Sequence, residues 1–459
     1  MPSLATEALA GKPTHGWSLG LRSALPLLVW LAALAVATNT GWILAYRILY
    51  AFTFLLVTGL VWSAGSVFSV SVQRQPVGAV LHVGDTLAER ILVRNRSWLP
   101  QMWTALEDGS DLPLHHLRQV LTYIGPRSER VFTLRSPCLR RGRYHLGPSL
   151  LSAGDPFGIL CASRVTGTIA SLVIYPRLFG LENLGLDGRL LQSEAVRSHR
   201  ASDPTAQVST IRQYQPGDTF SHIHWRSSAR QGNLMSKEFE ETPGGNVWVV
   251  LDLQREVQAG ALLDWPSNGE TLRPRRAAWP LLEPATAEYA VSMAASLAAY
   301  FLGHDRPVGL LAQGADPCLI QPDRGSRHLS RILDLLSVVQ ADGRLPLATL
   351  LATQQHNFSH FDTVCLVTPS DDEQWASAAH ALALRGMRII AILIDRSTFG
   401  GHAPFQGHGS PAQPLHAQPA DLAGVSHGPS IASAVAARRL PFCLLKRDQH
   451  PEELRLVLP

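Results

Sequence analysis

At 459 residues the chain has room for about three separately cored units, which excludes a peptide or a single motif. Hydrophobic residues are 46% of it and charged residues only 17%, so apolar surface must be hidden somewhere besides an ordinary globular core. Forty Lys plus Arg against thirty-six Asp plus Glu leave +4, too mild a bias to argue for nucleic acid, and five scattered cysteines without a Cys-x-x-Cys pair offer neither a disulfide framework nor a zinc knuckle.

Residues 1–22 read as an N-terminal tail. From Ala24 to Ser69 the only charge is Arg47, and the polar group Thr38-Asn39-Thr40-Gly41 splits the stretch into apolar spans near 23–39 and 42–64. This predicts a two-helix transmembrane hairpin over 23–66. Lys12 and Arg22 precede the first span and Arg74 follows the second, whereas the turn between them carries no basic residue beyond Arg47. The asymmetry places both flanks, and the large C-terminal region with them, on the cytoplasmic side of the inner membrane. Arg47 reaches the far interface by snorkelling, beside Trp42 and Tyr46.

Residues 67–178 alternate apolar and polar in short runs, VFSVSVQR, TLAERILVRNRS, MWTAL, RVFTLRS and GRYHLGP, punctuated by Gly, Pro, Asn and Asp. Period two with frequent turns predicts a small antiparallel β-sandwich. Its aromatic residues Trp98, Trp103, Tyr123 and Tyr144 read as core or strand-face packing. Arg135, Arg140, Arg141 and Arg143 read as a solvated face or as a patch for anionic lipid headgroups.

A dense motif, IRQYQPGDTFSHIHWRSSARQGNLMSKEFE over 211–240, lies in the linker of 179–245. Pro216-Gly217-Asp218 is a turn signature. His222 and His224, two apart, would share a strand face, but no third ligand stands at metal spacing. Arg226 and Arg230, four apart, would share a helix face suited to a carboxylate or phosphate partner, or to ion pairing with Asp218 or Glu240. From 246 to 459 strands such as VWVVLDL, PVGLLAQ, FDTVCLVTPS and MRIIAILID alternate with amphipathic helices, which predicts a mostly parallel sheet covered on both faces. Two segments exceed what connections need: 254–285, with Arg273, Arg275, Arg276, Trp265 and Trp279, and the Gly-, Pro- and His-rich 400–428. Ligands of such a sheet gather at strand carboxyl ends, where Asp252, Thr368 to Asp371 and Asp395 fall.

Tyr214, Pro216, Gly217, Asp218, Ile223, Trp225, Ala229, Arg230 and Glu240 together resemble the central motif of the bacterial family termed domain of unknown function 58. Likeness in VRNRSWLP, EDGSDLP, RGRYHLGPSLLSAGDPFG, IYPRL, PVGLLAQG and QPDRGSRHLSRILDLLS extends the resemblance over about residues 20 to 400. It implies a membrane-anchored protein with a β domain and a von Willebrand factor type A-like domain, working beside a MoxR-type AAA+ ATPase. A von Willebrand type A domain that binds Mg2+ does so through Asp-x-Ser-x-Ser after its first strand. Here the stretch is Asp252-Leu253-Gln254-Arg255-Glu256, so Asp252 stands as a lone candidate metal ligand and no cofactor is expected.

The expected fold class is therefore multidomain: a two-helix transmembrane hairpin, a small antiparallel β-sandwich and a von Willebrand type A-like α/β domain over 246–459. No Gly-x-Ser-x-Gly elbow, Walker A loop, His-Glu-x-x-His or dinucleotide glycine turn is present. The sequence accordingly points to a membrane-tethered scaffold or adaptor whose partners are the bilayer, a MoxR-type AAA+ ATPase and a client protein. Its candidate partner-binding residues are Asp218, His224, Trp225, Arg226, Arg230, Arg273, Arg275 and Arg276. The alternative is a metal-dependent hydrolase built on Asp252, Asp218 and His224.

Overall fold

The structure, a computed structural model, describes residues 17–77, 80–115, 117–184, 208–215, 223–239, 245–263, 282–315, 317–400, 431–447, 449 and 454–457. The chain divides into two compact units, residues 1–176 with 263–283, and 177–262 with 284–459.

The first unit opens with strand β1 (Trp17–Leu21), inside the segment read as an N-terminal tail. Two apolar helices follow, α1 (Leu25–Thr40) and α2 (Ile43–Ser69). Pro26 fits the first turn of α1, where its missing N–H is no loss, and Gly41 closes the helix at φ 65°. The helices run antiparallel, with Trp30 Nε1 donating to Thr53 Oγ1 at 2.8 Å. Of the two, α2 is long and apolar enough to cross a membrane by itself; α1, at 16 residues, is shorter than a usual span. The expected boundary near 66 also moves. Gly59, Ser63, Ser66 and Val67, spaced along one face, are buried against the sheet that follows, Val67 beside Ala153 and Ala162.

Ten further strands complete this unit: β2 (Val70–Val77), β3 (Leu81–His82), β4 (Thr86–Asn95), β5 (Thr104–Asp108), β6 (Arg118–Leu121), β7 (Glu129–Pro137), β8 (Gly142–Leu146), β9 (Ser149–Gly154), β10 (Leu160–Thr166) and β11 (Ala170–Tyr175). They form sheets ordered β1-β10-β9-β5-β6, β2-β4-β7 and β3-β11-β8. Alternation does what the sequence promised: Val70, Val72, Ile91 and Val93 from one sheet meet Leu106 and Leu151 from another. β1 pairs antiparallel with β10, Leu21 opposite Leu160, so residues on either side of the helical pair share one sheet. Trp98 and Tyr123 are exposed rather than packed. Arg140 is held by the Glu283 carboxylate at 2.6 Å and the Leu263 carbonyl at 2.8 Å, and Arg141 is buried, so neither is free for lipid headgroups.

In the second unit β12 (Val208–Gln213) pairs antiparallel with β13 (Met235–Phe239), and helix α3 (Trp225–Gln231) lies between them in sequence. The linker thus contains folded structure. β14 (Val247–Leu251), α4 (Thr286–Gly303), β15 (Val308–Gln313), β16 (Pro317–Asp323), α5 (Ser326–Val338), α6 (Leu347–Gln354), β17 (Thr363–Thr368), α7 (Glu373–Leu384), β18 (Arg388–Ile394), α8 (Ile431–Ala437) and β19 (Phe442–Leu445) follow. The sheet order is β16-β15-β14-β17-β18-β19, parallel except for the edge strand β16. Every residue of β14, VWVVL, is buried, as a central strand covered on both faces requires. Trp248, Leu366 and Trp375 anchor the core on one side; α4, with Tyr289, Met293 and Phe301 buried, is sunk into the unit. Most of the segment expected to insert at 254–285, and nearly all of that at 400–428, lies outside the described residues.

Candidate functional site

The α/β sheet reverses its winding between β14 and β17, the position where open sheets of this kind open a crevice at their carboxyl ends. Asp252 follows β14 there, and Thr368 ends β17. Burial of Asp252 pushes its carboxyl up to about 6, a shift that the Thr368 and Gln254 hydrogen bonds only partly offset. Asp252 Oδ2 accepts from the Thr368 hydroxyl at 2.6 Å, and Oδ1 accepts from the Gln254 N–H at 3.1 Å. The Ser370 N–H donates to Thr368 Oγ1 at 2.9 Å, which leaves that hydroxyl to aim its proton at Asp252. Gln254, standing at a serine position of the metal loop, spends its amide on Glu256 at 3.3 Å. A cation needs a charged carboxylate with free lone pairs beside neutral oxygens. Here each Asp252 oxygen already accepts one hydrogen bond from the protein, and Gln254 and Glu256 stand where the loop needs its two serine hydroxyls, so the donor set does not fit the Asp-x-Ser-x-Ser site for Mg2+. Among the described residues no group of three or more His, Cys, Asp or Glu side chains could hold a metal ion. The metal-dependent hydrolase reading therefore has no support from this geometry. Asp395 likewise serves its own turn, capping the Arg396–Phe399 segment by accepting from Ser397 N.

The second location is α3. The Ser227 N–H donates to His224 Nδ1 at 3.2 Å, and the Ser227 hydroxyl lies 2.7 Å from the same nitrogen, so His224 caps the helix. The Ser228 hydroxyl donates to the His224 carbonyl and accepts from Met235 N–H at 2.8 Å, locking α3 to β13. Ile223 and Ser228 are buried beneath. The opposite side exposes Trp225, Arg226 and Arg230, so the spacing of the two arginines does place both on one short helix, outward. An exposed tryptophan beside two guanidinium groups is suited to an acidic protein surface. Asp218, Glu240, His222, Arg273, Arg275 and Arg276 lie outside the described residues.

A third cluster escaped sequence reading. Within the β unit Arg74, Glu89, Asp108 and His115 are buried together. Arg74 pairs with Asp108, lies 3.5 Å from Glu89, and donates to Ser149 Oγ at 2.8 Å. His115 Nε2 stands 3.0 Å from Asp108 and 3.4 Å from Glu89, with Nδ1 2.9 Å from Ser136 Oγ. Burial works to lower the His115 pKa, but the hydrogen bonds and charges of Asp108 and Glu89 prevail and raise it. Burial likewise opposes ionisation of Asp108, which His115, Arg74 and Ser110 overcome, so its pKa is lowered. The available signal was Glu89 itself, an acid in the inward row of TLAERILVRN.

Residues 210–263 match the family model described as protein of unknown function DUF58. The uncharacterized protein YeaD of Bacillus subtilis is 23% identical over 344 residues, which cover 73% of this chain and 77% of that protein. Among solved structures, the CARDB domain of the PF1109 protein from Pyrococcus furiosus is 12% identical, covering 23% of this chain and 86% of that one at TM-score 0.17. Spo0M, a sporulation control protein from Bacillus subtilis, is 11% identical, covering 32% and 58% at TM-score 0.16. Scores of that size carry no argument about fold or function.

Proposed function

We propose that the chain is a membrane-tethered adaptor that presents the α3 surface to an acidic protein partner, and that this partner is an AAA+ ATPase of the MoxR type or its client. The observation that carries the anchoring is the long, apolar and largely exposed α2; the β1–β10 pairing adds that the strand before the apolar helices and the sandwich after them share a sheet, so the chain returns to the side it left. A pair of crossings by α1 and α2 satisfies that condition; a single crossing does not. Lys12, Arg22 and Arg74 on the returning side favour the cytoplasm. The binding role rests on the combination of exposed Trp225, Arg226 and Arg230 on a helix fixed by His224 and Ser228.

Affinity purification of the detergent-solubilised full chain from its host, with and without a non-hydrolysable ATP analogue, is the test. A nucleotide-sensitive AAA+ partner whose capture falls at least tenfold with Arg226→Glu plus Arg230→Glu supports the reading. Capture unchanged by charge reversal and by salt would overturn the assignment to α3.

A further inference from the structure

The helical pair is thinner than the layer it has to cross. Trp30 faces Thr53, and antiparallel pairing then sets Leu25 opposite Thr58, so the paired length is that of α1, 16 residues or about 24 Å. A bilayer's hydrocarbon core is about 30 Å thick. Arg47, exposed one turn from the far end, shortens the usable apolar length further. Beyond Thr58 the second helix no longer has α1 beside it; Gly59 lies against Asp155 of the sandwich instead.

The end of the sandwich at that level is apolar and uncovered. Leu25 is 70% exposed, Val61 67% and Phe157 53%, and Leu21 and Leu60 are exposed as well. They occupy one level, because Leu21 pairs with Leu160, the Arg22 N–H donates to the Ile159 carbonyl at 2.8 Å, and Phe157 sits in the turn between β9 and β10. Arg22 stands beside them with its guanidinium 4.6 Å from the Trp103 ring centre, a cation and an indole at the height where headgroups begin. The shortfall of about 6 Å is close to one helical turn, which is the rise that the Leu60–Val61 level and the Phe157 turn add.

We propose that the base of the β-sandwich, formed by Leu21, Leu60, Val61 and Phe157, is bedded in the bilayer and supplies the apolar thickness that the α1–α2 pair lacks, with Arg22 meeting lipid phosphate. The inference rests on the membrane-anchored reading above. It commits the surface to lipid because the patch is covalently continuous with the apolar helices, and Asp155, the carboxylate against Gly59, is buried. In consequence the β unit is held on the membrane at a fixed depth rather than swinging from it.

Full-length protein carrying Cys161→Ser and Cys318→Ser, with one new cysteine at a time, would be labelled with bimane and reconstituted into phosphatidylethanolamine–phosphatidylglycerol nanodiscs containing shallow or deep doxyl lipids. Phe54→Cys reports on the helical pair, Phe157→Cys on the base, and Val120→Cys on β6, the far edge of the sheet. The expected result is strong quenching at 54, quenching by the shallow doxyl at 157 at least threefold above that at 120, and little at 120. Quenching at 54 with 157 no higher than 120 overturns the bedded base while leaving the anchor intact. Absence of quenching at 54, together with release of the protein by alkaline carbonate, overturns the anchor and the inference with it. A label at 157 shielded only at high protein density and untouched by doxyl assigns the patch to a second copy and overturns the lipid assignment.

Discussion

Glu89 occupies a position that the alternation of β4 assigns to an inward, otherwise apolar row, and everything around it answers that charge. With His115 protonated, two cations face two carboxylates; with His115 neutral, one negative charge is left in a buried site. The pKa of His115 is raised from 6.5, so its contribution is fully present below about 6.5 and lost as pH climbs through the raised value. Asp108 is lowered from 3.8, so its contribution is present above about 3.8 and lost as pH falls through the depressed value. The β unit should therefore melt at its highest temperature between about pH 4 and 6.5, and His115→Gln should flatten the alkaline side of a calorimetric Tm–pH curve. Arg74→Met, which leaves two carboxylates against one imidazole, should cost about 3–5 kcal/mol in urea unfolding. Asp252 differs in sign from Asp108: its carboxyl is pushed up from 3.8 to about 6, so its burial is tolerated below about pH 3.8, and stability is lost as pH rises from there to about 6 and is level beyond. Asp252→Asn should remove that dependence in the α/β unit, and millimolar Mg2+ should leave the Tm of the parent unchanged, since a ligand that binds only the folded state would raise it.

Helix α2 shows how an element can be legible in composition and illegible in role. Its apolar run is long enough to cross a membrane, whereas its partner α1 is apolar but shorter than a usual span. The face Gly59, Ser63, Ser66 and Val67 looks from sequence like any small-residue stripe, and only the sheet behind it shows that this end of the helix packs on protein. β1 was missed for a related reason: five residues without flanking turn signals acquire strand identity from β10, some 140 residues away, not from local propensity. β14, β15, β17 and β18, whose periodicity is local, fall on the runs VWVVLDL, PVGLLAQ, FDTVCLVTPS and MRIIAILID, whereas β16, α6, α8 and β19 were not read from the sequence. His224 has a local role that the motif did not announce: it caps α3, accepting from Ser227 three residues on. Gly59 offers the sharpest check on the α2 contact. A Cβ there would stand 3.1 Å from Asp155 Oδ2, and Asp155 cannot swing away because its Oδ1 accepts from Ile159 and Leu160 N–H groups at 2.8 Å each. Gly59→Val should therefore destabilise the β unit in detergent by about 1–3 kcal/mol, with Gly65→Val, whose Cβ meets open space, nearly neutral under the same urea titration.

At the scale of the molecule, sheet pairing constrains topology more tightly than charge does. The proposed orientation rests on three basic residues, and one substitution would blur so small a bias. The five-residue register between β1 and β10 is a stricter condition, because a strand cannot hydrogen-bond through a hydrocarbon layer. Ser18 is aligned with Ser163 and, through β9 and β5, with Val120 at the far edge of the same sheet, so both positions must face one compartment. Asn39, at the turn of the helical pair, must face the other if the pair crosses. In membrane vesicles of a strain expressing the Cys161→Ser, Cys318→Ser chain, an impermeant maleimide should modify Ser18→Cys and Val120→Cys in inverted vesicles, and Asn39→Cys in right-side-out cells. Reaction of Ser18→Cys and Val120→Cys on opposite sides would mean that the strand never joins the sheet in the membrane. Reaction of all three on one side would mean that α1 and α2 enter the bilayer without crossing it, because the sheet ties their two outer ends together in either case.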